Sequence, residues 1–284
     1  MKIHAPAKIN LSLRVLGKRQ DGYHEVQTIM IPVTLFDEIF LEQKSKGVFL
    51  KAPGCNCSAE ENLAYKAARL FLDKSGKKEG VSVTLVKHIP IGAGLGGGSS
   101  DAGSVLLAMN TMFDEPFKKS ELMSMARKIG ADCPFFLFPR PMLMGSRGDE
   151  VLHDVNVEGR AFLLVLPAFG ISTAYVYSLF RAPLTQGVDL LKIDGGGNKK
   201  IAPERLLVND LESVAFQLHP ELTRIKQELL DVGALGALMS GSGSTVFGVF
   251  RDKEHMCTAM DKMPTQEGYS YIPTTGMMEG DQWK

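Results

Sequence analysis

A glycine-rich segment at 92–100 is the part of the sequence best suited to chemistry. Glycine occupies five of its first seven positions, a composition that neither a strand interior nor a helix interior favours. Apolar residues at helical spacing follow, which predicts a helix beginning at Ser99 or Ser100. The free N–H groups and positive dipole end of such a helix bind phosphate oxygens without help from net charge. The segment predicts a phosphate-binding loop, and a merely flexible glycine loop is the alternative.

The spacing of these glycines does not match two other phosphate loops. Gly92, Gly94 and Gly97 satisfy G-x-G-x-x-G, but in a dinucleotide-binding fold a strand runs directly into the first glycine. Here residues 88–90 intervene. The chain contains no G-x-x-x-x-G-K-[ST] sequence, so a Walker A loop is excluded.

Two ionisable residues elsewhere suit proton transfer beside a phosphate. Asp132 follows Gly130 inside an otherwise apolar stretch, where a carboxylate needs a reason to exist. It is a candidate general base, and a turn-forming aspartate is the alternative. Lys8 and Asn10 alternate with apolar residues in a half-buried strand predicted over 8–15, so they share a face. On this pattern alone, a solvated Lys8 is the simpler interpretation.

The composition excludes several function classes. The chain has 284 residues, 44% hydrophobic and 23% charged, as is typical of a globular protein of about two domains. Thirty-two basic residues balance thirty-two acidic ones, so no overall field attracts nucleic acid or an anionic membrane. The start of the chain lacks the apolar run of a signal peptide, and the cysteines and histidines show no zinc-site spacing. We therefore expect a cytoplasmic protein that acts on small molecules, without nucleic acid, membrane or a protein-built metal centre. We expect it to be bacterial because no plastid transit segment precedes the first strand.

Strands and helices alternate irregularly along the chain. The periodicity predicts strands at 8–15, 26–40 (with a break at Pro32), 81–86, 161–166, 237–239 and 245–250, and helices at 62–73, 99–109, 120–129, 211–218 and 222–229. Because no regular strand–helix–strand repeat emerges, the sequence predicts an α+β protein. We place its two domains at 1–155 and 156–284.

Several motifs together resemble the GHMP kinase superfamily, which comprises the galactose, homoserine, mevalonate and phosphomevalonate kinases. The phosphate loop of that superfamily is similar to residues 90–101, and further similar segments lie at 6–11, 17–25, 130–136, 209–212 and 239–245. The resemblance implies an N-terminal ATP-binding domain like domain 2 of ribosomal protein S5 and a C-terminal ferredoxin-like α/β plait. The Asp-Gly-Tyr-His sequence at 21–24 is similar to the branch of the superfamily that phosphorylates a cytidine diphosphate sugar alcohol in non-mevalonate isoprenoid synthesis.

The resemblance also implies roles for residues around the reacting atoms. ATP would donate its γ-phosphoryl group to the 2-hydroxyl of the sugar alcohol, with Asp132 as general base and Lys8 paired to it. The ATP phosphates would contact Pro90, Gly92, Gly94, Leu95, Gly96, Gly97, Gly98, Ser99 and Ser100. Mg²⁺ would accompany ATP, with Ser100 as its candidate ligand and water for the rest of its shell.

Other implied contacts concern the two bases. Tyr23 would stack on the cytosine, His24 would bond its pairing edge, and Tyr177 would form the opposite wall. Contacts to the adenosine are implied for Asn62 and Lys87, and contacts to the methylerythritol or its phosphates for Asn10 and Thr173.

Two other functions stay open, a mevalonate- or homoserine-type kinase and a non-catalytic ligand sensor of the same fold. Tyr23 and His24 argue against the first because its substrates have no base to stack. Lys8 and Asp132 argue against the second because a ligand sensor needs no general base. We expect a monomer or weak homodimer. The sequence GSRGD at 145–149 departs from the superfamily pattern, which usually ends in Glu there, and we expect it to lie outside the chemistry.

Overall fold

The computed structural model of the chain describes residues 1–55, 57–181 and 200–277. The first half contains the strands β1 (Lys2–Lys18), β2 (His24–Lys44), β3 (Val48–Lys51), β4 (Gly80–Val86), β5 (Met142–Gly145) and β6 (Glu150–Asp154), and the helices α1 (Leu63–Ser75), α2 (Gly97–Met112) and α3 (Lys119–Ile129). The second half contains the strands β7 (Ala161–Leu166), β8 (Val208–Asn209), β9 (Gly236–Met239), β10 (Val246–Phe250) and β11 (Ser270–Thr275), and the helices α4 (Thr173–Leu179), α5 (Glu212–Leu218), α6 (Glu221–Asp231) and α7 (Lys253–Met260). The structure is thus α+β, as predicted.

The first sheet has the order β3-β4-β2-β1-β8, with β5 on β2 and β6 on β5. Helices α1, α2 and α3 contribute to one apolar core with β2 and β4. The face of β1 that carries Lys8 and Asn10 is buried, with exposures of only 4% and 1%. The prediction of a half-buried strand is therefore wrong, because polar side chains line the interior of the protein here.

Strand β2 continues through Pro32, where the sequence predicted a break. Pro32 stands opposite Lys8 in the antiparallel pairing of β1 and β2. The register of this pair shifts between Pro6 and Ala7. Such an irregularity accommodates a residue that cannot donate to the ladder.

The second sheet is a ferredoxin-like plait. Its order is β11-β7-β10-β9, and each pair of neighbours is antiparallel. With α4 to α6 between β7 and β9, and α7 between β10 and β11, the chain follows the β-α-β-β-α-β order of that fold. The expected C-terminal architecture is confirmed.

The two halves of the chain exchange backbone contacts. Strand β8 belongs to the second half but pairs in parallel with β1, where Ser12 meets Val208. Val33 forms an isolated bridge with Gly276. A domain boundary at residue 155 stays a prediction. Among the residues described, no helix combines the length and the apolar character that a membrane crossing requires.

Candidate active site

A cleft of about 630 Å³ lies where β1, the glycine-rich loop, α4 and the β9–β10 loop meet. The predicted site residues among those lining it are Lys8, Asn10, Asn62, Lys87, Pro90, Gly92, Gly94, Leu95, Gly96, Gly97, Gly98, Ser99, Asp132, Thr173 and Tyr177. Tyr23 and His24 contact lining residues from outside, as described below. Motifs that are far apart in sequence therefore converge on one cavity.

Close backbone contacts explain the glycines of the loop. Gly94 has a φ of +78°, and a Cβ there would lie 2.4 Å from the carbonyl oxygen of Ser240. Gly96 has a φ of +71°, and its Cβ would lie 2.9 Å from the Phe136 ring. Both positions need a left-handed backbone and have no room for a side chain. The bare backbone that the composition suggested is thus required by packing.

Helix α2 begins at Gly97, two residues before the earlier of the two predicted starts. Its N-cap is Gly96, which supplies no side-chain hydrogen bond to the first turn. The N–H groups of that turn are thus left to a ligand, at the positive end of a helix of 16 residues. This arrangement suits an anionic group such as a phosphate.

Substitution of Gly94 by alanine tests the packing requirement of the loop. We expect Gly94→Ala to lower the free energy of unfolding by about 3 kcal/mol and to weaken ATP binding, because strain and backbone overlap add. Gly92 is the matched control, since its φ is +72° but a Cβ there meets nothing within 4 Å. Gly92→Ala should cost only about 1–2 kcal/mol. Equal losses in urea denaturation of the two variants would contradict the packing account.

Lys8 and Asp132 form the ionic centre of the cleft. The Nζ atom of Lys8 lies 3.7 Å from Oδ2 of Asp132 and 2.5 Å from Oδ1 of Asn10. The side chain of Asp132 is 32% exposed, so a substrate hydroxyl can reach it. The backbone of Lys8 donates to the carbonyl of Leu95, which places the lysine beside the phosphate loop.

Burial sets the charge properties of this centre. It lowers the pKa of Lys8 below its ordinary value, and the Asp132 carboxylate offsets part of that effect. Asn10 is fixed in turn, since its Nδ2 donates to Thr28 at 2.7 Å and its backbone N–H to Ser240 at 3.4 Å. The lysine is therefore held in one position by groups from two distant segments.

A second ionic cluster supports the other end of the phosphate loop. The ammonium of Lys87 contacts the carboxylates of Asp37 and Asp101, with 2.6 Å to the latter. Asp37, which is fully buried, also accepts the backbone N–H groups of His88 and Ile89 at 2.6 and 2.8 Å. Lys87 is thus committed to two carboxylates, which together hold the entry to the loop.

The charges within this cluster shift the pKa values of Lys87 and Asp101. The two carboxylates hold the pKa of Lys87 above its ordinary value although burial opposes them. Burial and the Asp37 charge raise the pKa of Asp101 to about 7, against the influence of Lys87. One oxygen of Asp101, Oδ1, is buried without a hydrogen-bond partner.

These shifts predict a pH dependence of stability. Because folding raises the pKa of Asp101, the folded state binds this proton more tightly, and the free energy of unfolding should fall between pH 4 and pH 7. We expect Asp101→Asn to reduce that fall, by at most about 1.4 kcal/mol per pH unit. Urea denaturation across this range measures it, with the exposed Asp73→Asn as control. An unchanged slope in Asp101→Asn would contradict the assignment.

Aromatic rings form a further part of the site. The ring of His24 stacks on Tyr177, a lining residue of α4, with centroids 5.1 Å apart. Partial burial lowers the pKa of His24, and the nearby charge of Lys18 adds to this. Tyr23 is 57% exposed and lies under the guanidinium of Arg147 at 4.9 Å. The structure thus pairs Tyr177 with His24, whereas the sequence expectation paired it with Tyr23.

Two of the predicted contacts are occupied by protein partners. The hydroxyl of Ser100 is fully buried and donates to the carbonyl of Pro6 at 2.6 Å, outside the cleft lining. A contact of Ser100 with phosphate or metal therefore stays a prediction, and it would require this hydroxyl to leave Pro6. Thr173 shares a hydrogen bond with Ser242 at 2.7 Å but does line the cleft. Within the described ranges no cluster of three or more His, Cys, Asp or Glu residues suits a metal ion.

The motif at 209–212 positions the β9–β10 loop. Asn209 donates to the carbonyls of Met239 and Gly241 at 2.8 and 2.7 Å, and Glu212 accepts the N–H of Met239. Gly241 faces the centre of the cleft, where a Cβ would lie 3.4 Å from Nζ of Lys8. The resemblance at 209–212 did not imply a role for these residues.

The fold and two family models that match the chain together define its class of protein. Residues 62–140 match the family model "GHMP kinases N terminal domain", and residues 189–269 match "GHMP kinases C terminal". The solved homoserine kinase of Cytophaga hutchinsonii has the same fold, with a TM-score of 0.73 at 18% identity over 98% of this chain and 94% of that one. The protein is thus built as a GHMP kinase.

Closer relatives narrow the assignment. The chain is 43% identical to a 4-diphosphocytidyl-2-C-methyl-D-erythritol kinase of Syntrophus aciditrophicus over 89% of this chain and 91% of the relative. It is 39% identical to that of Clostridium kluyveri over 97% and 100%. A solved 4-(cytidine 5'-diphospho)-2C-methyl-D-erythritol kinase superposes with a TM-score of 0.81 at 34% identity, over 98% and 100%. The chain belongs to the 4-diphosphocytidyl-2-C-methyl-D-erythritol kinase family.

Proposed function

We propose that this protein transfers the γ-phosphoryl group of ATP to the 2-hydroxyl of 4-diphosphocytidyl-2-C-methyl-D-erythritol, in the non-mevalonate route to isoprenoids. The observation that carries the proposal is the meeting of three kinds of group in one cleft. A Cβ on Gly96, the N-cap of α2, would lie 3.0 Å from Cγ of Lys8, and Lys8 lies 3.7 Å from Asp132. Tyr177, which stacks on His24, lines the same cleft. ATP and an acceptor that carries a nucleobase can therefore meet at the Lys8–Asp132 pair.

Asp132 is proposed as the general base. Its exposed carboxylate accepts the proton of the 2-hydroxyl as that oxygen attacks the γ-phosphorus, and the bond to the ADP oxygen breaks. Lys8, at 3.7 Å, stabilises the carboxylate before the reaction and the charge on the transferring phosphoryl group during it. The N–H groups of the first turn of α2 bind the phosphates of ATP.

The aromatic end is proposed to bind cytosine. A neutral imidazole offers one donor and one acceptor, and the burial that lowers the pKa of His24 favours this neutral form. That pattern complements the amino group and ring nitrogen of cytosine. Tyr177 fixes the imidazole by stacking, which leaves Tyr23 as the exposed ring for the base.

Magnesium is proposed to enter with ATP as part of the donor substrate. The carboxylates of Asp37 and Asp101 are committed to Lys87, and Ser100 to Pro6, so these residues do not fit a protein-held ion. Phosphate oxygens and water would supply its ligands.

We further propose that the enzyme works in the bacterial cytoplasm, as a monomer or weak homodimer.

Mevalonate- and homoserine-type kinases are the alternative within the same fold. Likeness to such structures, for example a mevalonate kinase of L. major at a TM-score of 0.70 and 16% identity, reflects the fold alone. The rings of Tyr23, His24 and Tyr177 favour an acceptor that carries a base. For a non-catalytic sensor, the cleft-lining Lys8 and Asp132 would have no use.

An acceptor comparison tests the proposal. ADP release is measured with magnesium and ATP in the presence of 4-diphosphocytidyl-2-C-methyl-D-erythritol, mevalonate or homoserine. We expect turnover with the cytidylyl compound only, and competition by CMP or CDP. Turnover with mevalonate or homoserine would favour the alternative kinase. Saturable ATP binding without turnover of any acceptor would favour the sensor.

A further inference from the structure

The loop between β5 and β6, residues 146–149, enters the cleft. Both Arg147 and Gly148 line it, whereas the sequence predicted that residues 145–149 would lie outside the chemistry. Arg147 is one of three cationic side chains among the described lining residues, together with Lys8 and Lys87. Lys8 acts in the proposed transfer and Lys87 is committed to two carboxylates, so Arg147 is the one of the three that has neither role.

Three contacts hold Arg147 in place, two of them made by its guanidinium. Its Nη2 donates to Oδ2 of Asp149 at 2.8 Å, and its backbone N–H approaches the other oxygen of Asp149 at 3.3 Å. The guanidinium lies over the Tyr23 ring at 4.9 Å. The side chain is nevertheless 28% exposed. A planar guanidinium has five N–H donors, so a single carboxylate leaves several of them for a ligand.

Arg147 lies between the two residues that are proposed to bind opposite ends of the acceptor, Tyr23 and Asp132. On one side is Tyr23, proposed to stack on the cytosine. On the other side, a Cβ on the adjacent Gly148 would lie 4.0 Å from Oδ1 of Asp132, the proposed base for the hydroxyl. A ligand that reaches from Tyr23 to Asp132 therefore passes Arg147. In a cytidylyl sugar alcohol, the part between base and hydroxyl includes a diphosphate.

Charge supports the same placement. Lys87 is neutralised by two carboxylates at the nucleotide end, and Lys8 faces Asp132 at the centre. A diphosphate brings about two negative charges, which a neutral protein must meet with local cations. Arg is suited to phosphate because two of its N–H groups can bond two oxygens at once.

We propose that Arg147 binds the diphosphate bridge of the acceptor and so selects a diphosphate-linked cytidylyl substrate over the bare nucleoside. This inference rests on the proposed function, since it concerns the acceptor of that reaction. It makes Arg147 a substrate-binding residue that acts on acceptor affinity and not on the phosphoryl transfer itself.

The test compares Arg147→Gln and Arg147→Lys with the native protein. We expect Arg147→Gln to raise the KM of the cytidylyl acceptor about 10- to 100-fold, the loss typical of hydrogen bonds to charged groups. The KM of ATP and kcat should stay within about threefold. At saturating ATP, CDP and cytidine are tested as competitive inhibitors against the acceptor. The inhibition constant of CDP should rise by a similar factor in Arg147→Gln, and that of cytidine should not change. Arg147→Lys should give an intermediate value, because it keeps the charge and loses the fork.

A control variant separates binding from loop structure. Arg127→Gln removes the hydrogen bond from Arg127 to the Asp149 carbonyl, which supports the same loop from outside the cleft lining. Equal losses for Arg127→Gln and Arg147→Gln would overturn the proposal, as would equal weakening of CDP and cytidine in Arg147→Gln. An acceptor KM unchanged in Arg147→Gln would also overturn it. Failure of the proposed function is distinct, because the native protein would then not turn over the cytidylyl acceptor.

Discussion

Replacement of Asp132 by asparagine is expected to lower kcat by about 10²-fold or more, with little change in the KM of either substrate. Asparagine has nearly the same shape but cannot accept the proton of the acceptor hydroxyl. The side chain is one-third exposed, so its substitution should leave the fold intact. Initial rates under saturating ATP and acceptor measure the effect.

A matched aspartate controls for general effects of charge removal. Asp154 pairs with Arg140 at the surface and is 52% exposed. Asp154→Asn should therefore retain the activity of the native protein. If Asp132→Asn were active within a few-fold of the native rate, Asp132 would lose its role as base.

Replacement of Lys8 by methionine is expected to separate activity from stability. Loss of a preorganised cation beside the transferring phosphoryl group should lower kcat by about 10²- to 10³-fold. Stability should change little, because relief of the burial that lowers the pKa of Lys8 is offset by loss of its hydrogen bond to the buried Asn10. Steady-state kinetics and urea denaturation of the same preparation give both values.

Lys2 is the matched control for this variant. It pairs with Glu38 at the surface and is 46% exposed, so Lys2→Met should change neither quantity appreciably. A Lys8→Met protein that remained active but unfolded more readily would make Lys8 a structural residue, contrary to the mechanism proposed above.

Local sequence patterns predicted the elements that are governed by neighbouring residues. Helix α1 ends at Ser75, and its C-cap Gly76 has a φ of +65°, which explains why glycine follows the periodic residues. Strand β7 coincides with the apolar run at 161–166 because both of its faces are buried. The glycine loop was recognisable because its composition suits neither a strand nor a helix interior.

Contacts between distant segments could not be predicted in this way. Asp37 lies in an apolar strand, and its role depends on Lys87, 50 positions later. Ser100 suited a ligand by type, yet Pro6 takes its hydroxyl. Arg147 enters the cleft because β5 pairs with β2. That pairing cannot be predicted from the sequence of a short apolar strand. An aspartate inside an apolar strand was the one available signal for Asp37.

The most direct test of the central claim is the proton-coupled ³¹P spectrum of the product formed from ATP and 4-diphosphocytidyl-2-C-methyl-D-erythritol. The carbon at position 2 carries a methyl group and no hydrogen, so a phosphate on its oxygen has no proton three bonds away. The account predicts one new, unsplit phosphomonoester signal that appears in step with ADP. A split phosphomonoester signal would place the phosphate on another hydroxyl, and ADP with only inorganic phosphate would mean hydrolysis, and either result would contradict the account.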